Sequence, residues 1–429
     1  MTTTNTLAQP WSPAQKVGFR FALLFFILFI LCDPNGAVPL LSNYEGVYMA
    51  PVQKLVVWMG THVFHLTKPI TAFTNGSGDT TYNWIVLLLI FIKSVVGAAI
   101  WSLIDTKPKS YDRLYYWLLV VLRFYVGFTM LGYGGYKVIK LQFPAPGPAR
   151  LLESYGDSSP MGLAWTFMGY SKAYNYFTGI AELTCGILLL FRRTTLFGAV
   201  IAFTVIANIV AINYCFDVPV KIVSSALLLM VIFILLKDLN RIIKFFFLNQ
   251  TAEPAVLTPR RFQKRWKNIS LTVTKYLLIA YTVFSIGGNV ISNMKYGDDA
   301  KHPVLYGLFN TQTFIQGKDT LPPLTTDTTR WKRISINSFG SVRITTMNDS
   351  TRNYSFKADS VKKQIIIGSF KDTTRKYTFA YTLSKDSILN MTGKGPNGDM
   401  SATLKRFDEK KFLLMRRGFH LINESPFNK

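Results

Sequence analysis

Long apolar runs alternate with short polar connectors over the first two-thirds of the chain, and the pattern changes beyond about residue 291. Seven stretches approach the roughly 20 apolar residues a helix needs to cross a bilayer. They are 14–32, 84–104, 115–136, 174–191, 194–213, 219–237 and 271–291. A further apolar segment, 47–66, is interrupted by Pro51, Lys54 and Gly60 and reads as an interfacial helix or a re-entrant piece.

From about residue 330 the helical period gives way to alternation. Ile334 and Ile336 alternate with polar neighbours, as do Val342 and Ile344, Tyr354 and Phe356, Ile365 and Ile367, and Tyr377, Phe379 and Tyr381. Leu389, Ala402 with Leu404, and Phe412 with Leu414 continue the series. Turn signals separate the runs at 348–350, 371–372, 384–386 and 395–398. One buried and one wet face are expected, in an antiparallel meander curled into a small barrel or sandwich. The aromatic stretch from Arg417 to Phe427 is expected to cover an edge of that sheet or to contact a ligand.

The fold expected is therefore a membrane α-helical bundle of about seven transmembrane helices, carrying a C-terminal extracytoplasmic antiparallel β-rich domain. Its parts are an N-terminal membrane region (1–110) with two spans and an outer interfacial segment, a four-helix module (115–237), a basic connector (238–270), a final span (271–291) and a β-rich domain (296–429).

Charge orients this arrangement. The chain carries a formal +25. Of this, +11 lies in residues 292–429 and +14 lies mostly in short connectors between apolar runs. Such placement, without a helix-turn-helix, zinc-finger or RNP pattern, points away from nucleic acid and toward membrane topology. With the N-terminus in the cytoplasm, the inner connectors hold 15 basic residues: Lys16, Arg20, Lys107, Lys109, Arg113, Arg192, Arg193 and eight between Lys237 and Lys267. The outer ones hold six: Lys54, Lys68, Lys137, Lys140, Arg150 and Lys172. The implied location is the bacterial inner membrane, with the β domain in the periplasm. The first run has no small-residue cleavage site after it, so it reads as a retained anchor.

Charges inside a bilayer call for partners. Lys93, Arg123 and Glu182 fall well within spans. At about 1.5 Å per residue, Arg123 and Glu182 lie roughly 12 and 13 Å from the cytoplasmic ends of sequential helices, which predicts an Arg123–Glu182 ion pair. Its role is to fix helix packing or to serve function. Lys137 and Asp217 both reach the outer interface, as a pair or as solvated charges. Cys32 and Cys215 fall at outer span ends and read as a disulfide or redox pair or as small packing residues, whereas Cys185 reads as a packing residue. His62 and His65 share a helix face at i, i+3, but two ligands make no metal site, and none is expected. The polar loop 74–81 lacks a phosphate-binding lysine and reads as an outer turn or cation contact. Its Asn75-Gly76-Ser77 triplet is common by chance.

Within 115–237, Arg123 is followed by Gly127, by Gly132-Tyr133-Gly134-Gly135-Tyr136-Lys137, then by Gly179-Ile180-Ala181-Glu182 and Gly186-Ile187-Leu188-Leu189-Leu190. In that order these residues resemble the DoxX-like family of bacterial membrane proteins. Gly132, Gly135, Gly179 and Gly186 are expected to let helices approach closely. The resemblance implies a redox-associated membrane subunit, linked to quinone or thiols, with quinone as the implied cofactor; the residues themselves show no haem, flavin or iron–sulfur ligation pattern. It does not by itself make the chain an enzyme. A second reading is a non-catalytic envelope protein whose β domain binds a periplasmic protein or lipid partner. A transporter is a third, unsupported by broken-helix signatures or inverted repeats.

Overall fold

The computed structural model describes residues 10–70, 72, 76–105, 110–253, 262–298, 301–338, 340–370 and 376–428. Expectations on Lys107, Lys109, Thr74, Asn75, Lys371, Asp372 and part of the connector, 254–261, lie outside the described residues.

In chain order the α-helices are α1 (Pro13–Cys32), α2 (Pro39–Tyr48), α3 (Ala50–His62), α4 (Thr81–Ile104), α5 (Asp112–Val138), α6 (Pro148–Leu151), α7 (Pro160–Tyr170), α8 (Lys172–Leu190), α9 (Thr195–Cys215), α10 (Lys221–Leu236), α11 (Leu239–Phe246), α12 (Arg265–Asn293) and α13 (Leu413–Arg416). The strands are β1 (Gly307–Gln316), β2 (Asp319–Thr320), β3 (Trp331–Ile336), β4 (Ser341–Thr346), β5 (Thr351–Asp359), β6 (Gln364–Gly368), β7 (Lys376–Leu383), β8 (Ile388–Gly395) and β9 (Gly398–Phe407). The chain divides into two compact units, one of residues 1–143 with 160–294 and one of residues 144–159 with 295–429.

The first unit is helical. Capping boxes start two of its long helices: Ser12 with Gln15 ahead of α1, and Thr80 with Asn83 ahead of α4. In each, the hydroxyl accepts a first-turn N–H and the amide side chain answers the cap's own N–H. All seven apolar runs are helices at the expected places. Among the described residues, α1, α4, α5, α9 and α12 are long and apolar enough to cross a membrane. Joining α10 to α11, which bend by 77° at their junction, makes a sixth. The remaining run, α8, is a 19-residue helix. It carries Asn175, Thr178, Glu182 and Cys185, each of which makes a hydrogen bond to a neighbour, and this lowers its apolar content. The segment 47–66 forms no single helix: α2 and α3 meet near Met49, and α3 ends at His62.

Glycine sets how closely α5 and α8 pack. A Cβ on Gly134 would stand 2.7 Å from the Gly179 carbonyl oxygen, and one on Gly186 would stand 2.9 Å from that of Gly127. The antiparallel helices thus touch backbone to backbone at two points, 127 against 186 and 134 against 179. Close backbone contact of this kind gives extensive van der Waals packing between two helices. Of the glycines expected at contacts, Gly179 and Gly186 serve this one and Gly135 faces Val290 on α12, but Gly132 has nothing within 4 Å.

The second unit is a closed antiparallel barrel. β1 pairs with β3, each later strand pairs with the next, and β9 pairs back onto β1; β2 is a two-residue extension on β1. Eight strands thus form a ring without free edges. The inward positions are those the alternation marks: Ile334, Ile336, Val342, Ile344, Phe356, Ile365, Ile367, Phe379, Tyr381, Leu389, Ala402 and Leu404 are all buried. Phe309, Phe314 and Trp331 complete the filling. Residues 144–159 belong to this unit: the Ala145 N–H donates to Asp298 Oδ1 at 2.8 Å, and Arg343 donates to the Ala149 carbonyl at 3.4 Å.

Two expectations for this domain are corrected. Phe412 and Leu414 are not in a strand, because Asp408 caps a 3-10 turn, accepting from the Lys410 N–H at 3.0 Å, and α13 follows. Nor does the stretch from Arg417 to Phe427 cover a sheet edge, since β1 and β9 close the barrel on each other.

Candidate functional site

Lys137 and Glu182 flank the 134–179 contact, each three residues beyond its glycine on helices that run in opposite directions, and their side chains meet across it. The Lys137 ammonium donates to Glu182 Oε1, and both side chains are buried. One turn further along α8, Cys185 Sγ donates to the Glu182 carbonyl at 3.2 Å. Lys137 also lies 5.8 Å from the centre of the Phe143 ring.

This overturns the expected Arg123–Glu182 pair. Arg123 turns to the C-terminal end of α8, donating from Nε to the Leu189 carbonyl at 3.1 Å and from a terminal nitrogen to that of Leu190 at 3.4 Å. Carbonyls there have no partner within the helix, and a cation satisfies both their hydrogen bonds and the helix dipole. Matching depth along two helices does not decide the partner: the long Lys137 side chain reaches Glu182 from nearer the end of α5, and Arg123 meets a helix end. Lys93 is exposed on the surface of α4. Lys137 and Asp217 do not meet: Asp217, at φ 51°, accepts instead from Lys221 Nζ at 2.9 Å.

A cavity of about 370 Å³ opens where α1 ends and α4 begins. Phe29, Met49, Val86, Leu87, Ile90 and Val223 give it apolar walls. Cys32, Asp33, Asn35, Glu45, Asn83 and Tyr133 give it a polar end. Asn35, in the left-handed region at φ 45°, donates from Nδ2 to the Tyr133 hydroxyl at 2.9 Å. The Tyr125 hydroxyl donates to the Asp33 carbonyl at 2.6 Å, which fixes the turn after α1. Burial, and next the nearby Glu45 charge, push the Asp33 carboxyl up to about 6. Burial likewise raises Glu45. Apolar walls with a few converging polar groups are the general character of small-molecule sites, and a carboxyl raised as Asp33 is can carry a proton at working pH.

The cysteines are free: Cys32 is half-buried in the cavity wall, Cys185 is buried and Cys215 is exposed. Cys32 and Cys215 are thus not joined. His62 contacts the Trp58 carbonyl at 3.0 Å and stacks on its ring, whereas His65 lies beyond the helix at φ 49°. They share no helix face. No group of three or more potential metal ligands occurs among the described residues. In the polar loop, Asp79 accepts from the N–H groups of Lys221 at 2.8 Å and Ile222 at 3.0 Å, so its carboxylate caps the start of α10.

Sequence reasoning missed Asp33, Asn35 and Glu45, which sit in short connectors and α2 rather than in spans. It also counted Arg20 only as an inner charge. Arg20 donates to the Tyr111 hydroxyl, to Ser102 Oγ at 2.7 Å and to the Asp105 carbonyl at 2.7 Å, binding α1 to α4 and the start of α5. A Tyr-Asp-Arg after a Trp-Ser-Leu-Ile-Asp is the only local signal, and it is weak.

No family model matches the chain, and no solved structure matches it. It is 38% identical over 124 residues to the uncharacterized protein YwoB of Bacillus subtilis (strain 168), a match that covers 29% of this chain and 79% of that protein.

Proposed function

This chain belongs to the YwoB family, and we propose that it is a multi-pass protein of the bacterial inner membrane, DoxX-like in its central module, that binds a quinone head group or a small thiol as a redox-linked subunit. The observation that carries this reading is the cavity beside Cys32. Its apolar walls suit a ring or chain, and its polar end offers Asn35 and Tyr133 as hydrogen-bonding groups. Asp33 and Glu45 suit a ligand that gains or loses protons along with electrons. In this reading the N-terminus is cytoplasmic, the basic connectors stay on that side and the β-barrel is periplasmic. The Lys137–Glu182 pair holds α5 against α8.

The test is reconstitution in lipid nanodiscs with a short-chain quinone, using protein fluorescence quenching for binding and quinone absorbance for turnover with thiosulfate or a small thiol. Saturable binding that weakens in Asn35→Leu and Asp33→Asn, with donor-dependent quinone reduction that falls in Cys32→Ser, supports the proposal. Absence of binding and turnover in protein that is folded and monodisperse refutes it.

A second reading starts from the barrel. The barrel interior is filled by Phe309, Phe314, Phe379, Leu389 and Leu404, so a partner of that domain must meet its outer surface. In this reading the helical unit anchors a non-catalytic envelope domain. A periplasmic partner that crosslinks to the barrel surface in cells, combined with a silent quinone assay, selects it.

A further inference from the structure

Beyond β9 the chain holds apolar side chains outside any core. From α13 to Asn428 every residue except Arg417 is exposed. Phe419, Leu421 and Ile422 are 89%, 86% and 77% exposed. The segment nevertheless has internal order. The Arg417 guanidinium lies 4.1 Å from the centre of the Phe427 ring and donates to Asn423 Oδ1 at 2.6 Å. Asn423 Nδ2 then donates to the His420 carbonyl at 3.1 Å. These contacts draw 417–427 into a hook and leave the three large apolar groups on its outside. Lys410, Lys411, Arg416 and Arg417 flank them, against Glu424 alone from residue 410 to 428.

Exposed apolar groups in a cluster mark an interaction site. Apolar anchors flanked by basic side chains match a bilayer surface that carries anionic lipid, where the anchors enter the boundary between headgroups and acyl chains and the cations meet phosphates. The chain keeps such a surface within reach. Ten residues separate Tyr296, at the end of the α12 segment, from Gly307 at the start of β1, and at ~3.3–3.6 Å each they span at most about 35 Å.

We propose that residues 410–427 dock on an anionic lipid surface, with Phe419, Leu421 and Ile422 as anchors and Lys410, Lys411 and Arg416 among the phosphates. The proposal rests on the reading of α12 as a membrane span, and the test separates the two. A full-length chain with Cys32, Cys185 and Cys215 changed to Ser carries one nitroxide label, either through Ile422→Cys or, as a control on α12, through Phe284→Cys. Labelled protein is reconstituted in vesicles of phosphatidylcholine alone or enriched in phosphatidylglycerol. Collision with oxygen, which concentrates in lipid, and with a water-soluble nickel complex then reports depth.

The expected result is a lipid-exposed label at 284 in both vesicles and a label at 422 that enters lipid only with phosphatidylglycerol. Lys411→Gln with Arg416→Gln should lower the docked-to-free ratio roughly 25-fold, since each basic side chain near such a surface contributes about fivefold. A label at 284 in lipid with 422 in water in both vesicles overturns the docking and leaves the span reading intact. A label at 422 that enters both vesicles equally, or that is shielded from both agents as in a protein contact, also overturns it. A label at 284 in water removes the span reading itself.

Discussion

Lys137 and Glu182 form an ion pair between α5 and α8, with side chains 7% and 1% exposed, beside the point where Gly134 and Gly179 bring the two backbones together. Glu182 Oε2 has no hydrogen-bond partner among the described residues. The carboxylate therefore depends on one lysine, and removing that lysine strands it.

The first prediction follows. Lys137→Met should destabilise the protein by about 3–5 kcal/mol, because an uncompensated buried charge remains, and adding Glu182→Met should recover much of the loss. Arg123→Met combined with Glu182→Met should instead be additive to within about 0.5 kcal/mol, as Arg123 binds the end of α8 and not the carboxylate. Unfolding in mild detergent measures both cycles. Strong coupling of Arg123 to Glu182 would restore the pairing inferred from depth and discard the one described.

Close backbone contact gives a second prediction. An alanine Cβ at position 134 meets the Gly179 carbonyl at 2.7 Å and the Leu183 nitrogen at 2.9 Å, neither of which can rotate away. Gly134→Ala should therefore cost about 1–3 kcal/mol, as overpacking does. Gly132→Ala, with nothing within 4 Å, should be neutral or slightly stabilising through its helix propensity. Equal effects of the two in thermal unfolding would argue against the α5–α8 crossing.

A third prediction concerns pH. The Asp33 carboxyl is pushed up to about 6, whereas in an unfolded chain it sits near 3.9. Between those values the folded protein retains a proton that the unfolded chain releases. The stability this group contributes is thus fully present below about pH 4 and is lost as pH rises through about 6, amounting to at most about 3 kcal/mol. Asp33→Asn should flatten the slope of stability over that range. An unchanged slope would mean that the carboxyl is solvated and titrates normally.

The barrel offers a fourth. Gly393 on β8 has no room for a side chain: a Cβ there would stand 2.0 Å from the Thr378 carbonyl oxygen and 2.8 Å from the Phe379 Cα. Gly393→Ala should disrupt the β7–β8 pairing, whereas Lys362→Ala, at an exposed position, should not. The loss of β-sheet circular dichroism on heating compares them.

Much of this architecture was legible in the sequence because two periods write it. Apolar runs of span length gave each long helix, and strict alternation gave the inward face of the barrel from Ile334 to Leu404. β1 stayed hidden because Leu308 and Phe309 are buried in succession, and a bulge between Thr311 and Thr313 shifts the phase before Phe314. The candidate site was legible only in part. Lys137, Glu182 and Cys32 stand out as charges or thiols near spans, but pairing them requires knowing which helix faces meet. Gly127 and Gly134 against Gly179 and Gly186 decide that, and a spacing of seven on both helices was the available clue. Asp33, Asn35 and Glu45 converge through the turn after α1, which no period marks.

The central claim is that the helical unit lies in a bilayer and separates the basic connector from the barrel. Single cysteines at Val361, 90% exposed on the barrel, and at Gln250, exposed after α11, can be placed in a chain without its native cysteines and treated with a membrane-impermeant maleimide in spheroplasts. The account predicts that position 361 reacts in intact spheroplasts and position 250 only after permeabilisation. Reaction of both, or of neither, before permeabilisation would put the two on one side and contradict it.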